Sequence, residues 1–190
     1  FPHWSPDGRY LAFFEDARGS TKLRKFDTRG GQIFTLTEIP GGFGAGLAWS
    51  RADTILFSTG QGGIQRISAA GGAPAAVTTL DRARGETGHW APALLPDGRH
   101  FLYLAVGRQP RIYDANGLFV ASLDGGAAKQ LMPVGSNAYY ANGYLLFLRD
   151  ATLVAQPFDA QRLELSGEAM PVADRIAIGG ATSRTGAFTV

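Results

Sequence analysis

Cysteine is absent from the 190-residue chain, which excludes a disulfide framework, a thiolate nucleophile and a zinc–cysteine site. Lysine is scarce: only 3 of the 18 cationic side chains are Lys, and the arginines are scattered singly rather than gathered into a stripe. A formal charge of +2 without a continuous basic footprint argues against nucleic acid as a partner. No apolar run approaches the roughly 20 residues that a membrane helix needs, so direct membrane insertion by this segment is not expected. The sequence opens at Phe1 with no charged and apolar leader, which puts any signal or anchor outside it. Helix signals are missing as well, since no stretch combines a cap with a sustained 3.6-residue period.

What is abundant is punctuation. The 26 glycines and 10 prolines sit among 45% hydrophobic residues, a composition suited to many short elements around a sizeable core. The punctuation is periodic. WSPDGRYLAFF with Asp7-Gly8, WSRADTILFS with Ala52-Asp53, LLPDGRHFLYL with Asp97-Gly98 and YYANGYLLFL with Asn142-Gly143 recur every 45 residues. A weaker fifth copy, SRTGAFTV, has Gly186 in its turn.

Each unit reads as four short strands. In the first, FPHW is followed by the Ser-Pro-Asp-Gly turn, RYLAFF, KLRKFDT, a Gly30-Gly31 turn and QIFTLT. YLAFF, FLYLA and YLLFL are apolar without alternation, so these strands are predicted to be covered on both faces. Four-stranded antiparallel sheets stacked radially at this period describe an all-β fold, a β-propeller. The blades are predicted at residues 1–40, 41–86, 87–135 and 136–176, with an incomplete fifth at 177–190. Four blades and a hairpin do not close tidily, so the segment reads as part of a larger ring, with apolar blade faces left open.

The PxWSPDGRxLAF pattern, an apolar strand, an aspartate and a double-glycine turn resemble the Tol-system type of WD-like propeller repeat. The wording GGIQRISAAGGAPAAVTTLDRARGETGHWAPALLPDGRHFLYL, then SNAYYANGYLLFLRDATLVAQPFDAQRLELSGEAMPVA, is most similar to the C-terminal propeller of bacterial serine/threonine protein kinases. That resemblance covers about Phe1 to Ala177 and implies a sensor or interaction region, with an extracytoplasmic, periplasmic setting. The kinase signatures themselves, a Gly-rich loop before a strand, an HRD loop and a DFG site, are missing from the segment.

Candidate chemistry weighs against an enzyme. His3, Ser5 and Asp7 suggest a triad, but no G-x-S-x-G elbow occurs, and Ser-Pro-Asp-Gly has the corner preferences of a type I turn. The other copies vary the supposed triad, with Leu95 and Ala141 at the serine and Ala93 at His3, yet they keep the turn. Asp7, Gly8, Asp97, Gly98, Asn142 and Gly143 are therefore read as structural turns, and no catalytic residue is assigned. GGFGAG, residues 41–46, has phosphate-loop glycines but leads into a strand rather than a helix, so it reads as a flexible connection between blades. Asp114, Asn116, Glu15 and Asp16 do not complete a calcium loop, and His3, His89 and His100 lack zinc spacing, so neither metal nor cofactor is assigned.

The binding candidates are aromatics. GETGHW and SNAYY precede inner strands and are placed on connections ringing one mouth of the channel, where His89, Trp90, Tyr139 and Tyr140 would stack on a ligand or grip a peptide. The expected function is a non-catalytic binding or sensing module of a larger signalling protein such as a receptor-like kinase. The alternatives are the accessory propeller of a prolyl-oligopeptidase-type hydrolase and a free-standing Tol-type scaffold. The expected partners are a protein or a small-molecule ligand, together with further blades or another domain of the same chain.

Overall fold

A computed structural model describes residues 2–17, 19–107, 115–177, 186 and 188. The described residues form strands and turns, with no helix among them. The first sheet runs in order through β1 (His3–Trp4), β2 (Tyr10–Ala17), β3 (Ser20–Asp27) and β4 (Ile33–Pro40). The second contains β5 (Leu47–Trp49), β6 (Thr54–Phe57), β7 (Gln65–Ser68) and β8 (Ala75–Ala76). The third contains β9 (Glu86–Leu94), β10 (His100–Gly107), β11 (Ala115–Ser122) and β12 (Lys129–Met132). β9 begins at Glu86, a residue that the sequence reading left in the second blade. All pairings within the sheets are antiparallel.

The fourth sheet contains β13 (Ala138–Ala141), β14 (Tyr144–Arg149) and β15 (Thr152–Asp159), whose outer edge is shared by two short strands. β16 (Glu164–Leu165) pairs with the Phe158 end of β15, and β17 (Met170–Ala173) pairs with Leu153 to Ala155. The connection from β15 to β17 therefore carries a short strand of its own. Most of the predicted fifth blade lies outside the described residues.

The repeated turn has a local cause. In the first copy the Gly8 N–H donates to the Ser5 carbonyl at 2.9 Å, and Ser5 Oγ accepts the Tyr10 N–H at 2.8 Å. In the third copy the Gly98 N–H donates to the Leu95 carbonyl at 2.9 Å, and one Asp97 oxygen accepts the Arg99 and His100 N–H groups at 2.9 Å each. Gly8 and Gly98 sit at φ 68° and 66°, a left-handed conformation that costs glycine little. The second copy puts Asp53 there at φ 53°, a position that Asn and Asp tolerate best after glycine. The fourth uses Asn142 at φ 46° and Gly143 at φ 88°, the doubly positive pair of a two-residue hairpin.

Three apolar layers hold the sheets together, each between consecutive sheets. Ala12, Leu23 and Leu36 pack on Trp49, Ile55, Phe57 and Ile67 between the first and second. Ala48 and Leu56 pack on Phe101, Tyr103 and Phe119 between the second and third. Leu102, Leu118 and Val120 pack on Leu145, Phe147 and Val154 between the third and fourth. Alternate residues of β6 and β10 thus enter different layers, which is why these strands are apolar without alternation. The inner strands β1, β5, β9 and β13 neighbour one another in that order along the concave side.

Candidate functional site

The inner strands meet around a cavity of about 220 Å³. Each contributes: His3 from β1, Ala48 and Trp49 from β5, Pro92 to Leu94 from β9, and Tyr139 with Tyr140 from β13. The two tyrosines lie in β13 itself rather than on the connection before it. The Tyr139 ring meets Phe188 edge-on at 5.5 Å, and the Tyr140 ring meets Phe158 at 6.3 Å. Both remain partly exposed, so their positions are set by packing while part of each ring stays free for a ligand. His3 is exposed, and its Nδ1 lies 3.0 Å from the Trp4 carbonyl.

His89 and Trp90 occupy different surroundings. GETGHW was expected on a channel-mouth connection, but Glu86 to Trp90 form the first half of β9, paired with Leu104 to Gly107 of β10. The connection lies earlier, at the turn closed by the Gly85 N–H on Arg82 and the Glu86 N–H on Asp81. His89 is only 1% exposed and lines no part of the cavity. Its Nε2 is 3.0 Å from Glu86 Oε2, its Nδ1 is 2.6 Å from Thr78 Oγ1, and its ring lies 4.5 Å from Tyr103.

Glu86 Oε2 acts as an acceptor, which sets the tautomer: Nε2–H donates to it, and Nδ1 accepts the threonine hydroxyl, which itself accepts the Ile64 N–H. Glu86 Oε2 also accepts the Asp81 N–H at 2.6 Å. Burial holds the imidazole below its ordinary pKa, with Glu86 opposing that shift. Burial, reinforced by the Glu86 charge, pushes the Tyr103 phenol up. This Thr–His–Glu chain is buried at His89 and Glu86 and ties the connection leaving the second sheet to the third.

Trp90 is half-buried, donates from Nε1 to the Gly60 carbonyl at 2.9 Å and meets Phe43 edge-on at 6.1 Å. It holds β9 against the β4–β5 and β6–β7 connections rather than facing the cavity. GGFGAG was read as a flexible connection, yet hydrogen bonds pin it: Phe43 N–H to Thr59, Ala45 N–H to Ser58, and Ala91 N–H to Ala45. Its glycines serve close packing, because a Cβ on Gly44 would lie 2.0 Å from the Phe14 ring.

Of the residues lining this cavity, the sequence reading named Tyr139 and Tyr140 as binding candidates and did not so name His3, Trp49 or Leu94. For Trp49 and Leu94 the available signal was positional: with Tyr139 they recur at the 45-residue period in the inner strands, and His3 lies one residue before the first copy of that position. Among the described residues no group of three His, Asp or Glu side chains could hold a metal ion, and Asp114 lies outside them.

Radially stacked four-stranded antiparallel sheets, with their inner strands around a shared concave wall, define an arc of a β-propeller. The chain is similar in fold to TolB from Acinetobacter baumannii, with a TM-score of 0.67 and 14% identity over 92% of this chain and 43% of that one. It is similar also to a puromycin-hydrolyzing peptidase of Mycobacterium tuberculosis, with a TM-score of 0.64 and 16% identity over 95% of this chain and 30% of that one. In sequence, 62 residues are 40% identical to the uncharacterized peptidase YuxL of Bacillus subtilis (strain 168), covering 32% of this chain and 9% of that protein. No family model matches the chain.

Proposed function

We propose that this propeller arc is a non-catalytic binding module that receives an extended segment of a partner protein on its inner strands. The observation that carries this reading is the cavity bounded by His3, Trp49, Leu94, Tyr139 and Tyr140. Its roughly 220 Å³ falls below the ~300–1,000 Å³ of small-molecule pockets and suits one or two side chains. Tyrosine and tryptophan offer broad apolar faces at small entropic cost, and the tyrosine hydroxyls offer polar handles for a peptide backbone. The buried Thr78–His89–Glu86 chain supports a structural rather than catalytic use of the histidine.

The test is an array of random twelve-residue peptides probed with the labelled chain. Binding should fall at least tenfold with Tyr139→Ser plus Tyr140→Ser and severalfold with His3→Ala, whose exposed side chain leaves folding intact. Peptide binding indifferent to all three substitutions overturns the reading.

The resemblance to kinase propellers supports a receptor-like signalling protein as the whole, with an extracytoplasmic setting. A second reading, the accessory propeller of a serine peptidase, is favoured by the YuxL match and the puromycin-hydrolyzing neighbour. The flanking coding sequence separates the two. A kinase domain supports the first, and a G-x-S-x-G domain supports the second.

A further inference from the structure

The outward face of the first sheet repeats, position for position, a face that is buried in every other sheet. Trp4 pairs with Leu11, and Leu11 with Phe26. In the second sheet the corresponding ladder is Trp49, Ile55 and Ile67, in the third Leu94, Phe101 and Ala121, and in the fourth Tyr140, Leu145 and Gln156. In each of those sheets this side packs on the preceding sheet, with Trp49 at 5% exposure and Ile55, Phe101 and Leu145 at 0%. Trp4 is 55% exposed, and Ile33, which continues its ladder beyond Phe26, is 49% exposed. An apolar row of this kind on an open sheet face marks an interface.

We infer that this face is a blade-docking surface and that its occupant is a further four-stranded blade of the same repeat, supplied by the same polypeptide. Three in-chain junctions define what fits it: a sheet presenting an apolar face, as Ala12, Leu23, Leu36 and the Tyr10 ring, stacked 6.3 Å from Trp49, do between the first and second sheets. A second copy of the arc fits poorly. Among the described residues the other open end is the outer face of the fourth sheet, where Gly186 and Phe188 already sit. The Gly186 N–H donates to Asn137 Oδ1 at 2.6 Å, and Phe188 lies against Tyr139. A sheet arriving there would meet those two residues first. The chain also spans only 43% of the TolB structure that it matches over nearly its whole length.

The absence of cysteine makes the test direct. Trp4→Cys, with Arg51→Cys as an exposed control, is labelled with a maleimide in the 190-residue chain and in the complete gene product. The expected result is that residue 4 reacts at the control rate in the 190-residue chain and at least tenfold more slowly in the complete product. Leu11→Gln should reduce dye binding by the short chain while lowering the melting temperature of the complete one. Equal labelling in both, a gene product without a further repeat, or concentration-dependent protection of residue 4 in a stable dimer of the short chain each overturns the inference.

Discussion

The first and third sheets are built from near copies of one sequence, RYLAFF and RHFLYLAV, yet their second strands live in different surroundings. Phe101 through Val106 of β10 are all buried, whereas Leu11, Phe13 and Phe14 of β2 are only partly so. The strand chemistry is the same, and what differs is the number of neighbours. A repeat sequence thus encodes a capacity for docking on both faces, and stability depends on how much of that capacity is filled.

The largest effect that tests this contrast is a matched truncation. Leu102→Ala, between the third and fourth sheets, should cost about 3 kcal/mol in urea unfolding, while Leu11→Ala in the 190-residue chain should cost less than about half of that. Equal losses would mean that the open face contributes as much as a covered one.

His89→Ala comes next, at about 2–3 kcal/mol near neutral pH, because it empties a buried site and takes one hydrogen-bond partner each from the buried Glu86 carboxylate and the Thr78 hydroxyl. Its pH dependence has a definite sign. The folded histidine binds its proton less readily than the unfolded one, so its contribution is fully present above about pH 6.5 and is lost as pH falls below that value. The variant should flatten this part of the stability profile.

Gly8→Ala and Gly98→Ala should each cost about 1 kcal/mol by calorimetry, through left-handed backbone strain in open space. Their near equality is the point, since the turn is local and indifferent to whether a sheet has one neighbour or two.

The smallest effect contrasts two ion pairs. In the first sheet Arg9 Nη2 holds Asp27 at 2.8 Å, and together with the Arg29 and Gly30 N–H groups it brings this carboxyl down to about 2. In the third, Arg99 and Asp124 form a pair in which both side chains are more than half exposed. Asp27→Asn should lower the melting temperature at neutral pH, and the difference should vanish as pH falls from about 4 towards about 2. Asp124→Asn should leave it unchanged at every pH, as expected of a screened surface pair.

The fold was legible because its determinants are local and repeated. Asp7-Gly8, Asp97-Gly98 and Asn142-Gly143 announce hairpins by backbone chemistry alone, and the 45-residue period orders them into sheets. The cavity was half legible, since Tyr139 and Tyr140 stood among the binding candidates while His3, Trp49 and Leu94 did not. The cavity depends on how four inner strands converge, which no single repeat specifies. His89 misled for a related reason: a histidine beside a tryptophan looks like a surface for ligands, and only the register of β9 against β10 turns it inward. The glycines of residues 41–46 signalled freedom, but the close approach of Phe14 that requires them is a tertiary fact.

Each described sheet is assembled from one continuous stretch of chain, without a strand borrowed from a distant part of the sequence. Loop-closure entropy within a blade is therefore small, and a finished sheet offers the next one a template as it emerges. Such a chain is suited to vectorial folding during synthesis, blade upon blade. A slow ribosomal step or a premature stop would then release short arcs that are internally ordered, with a defect confined to their ends.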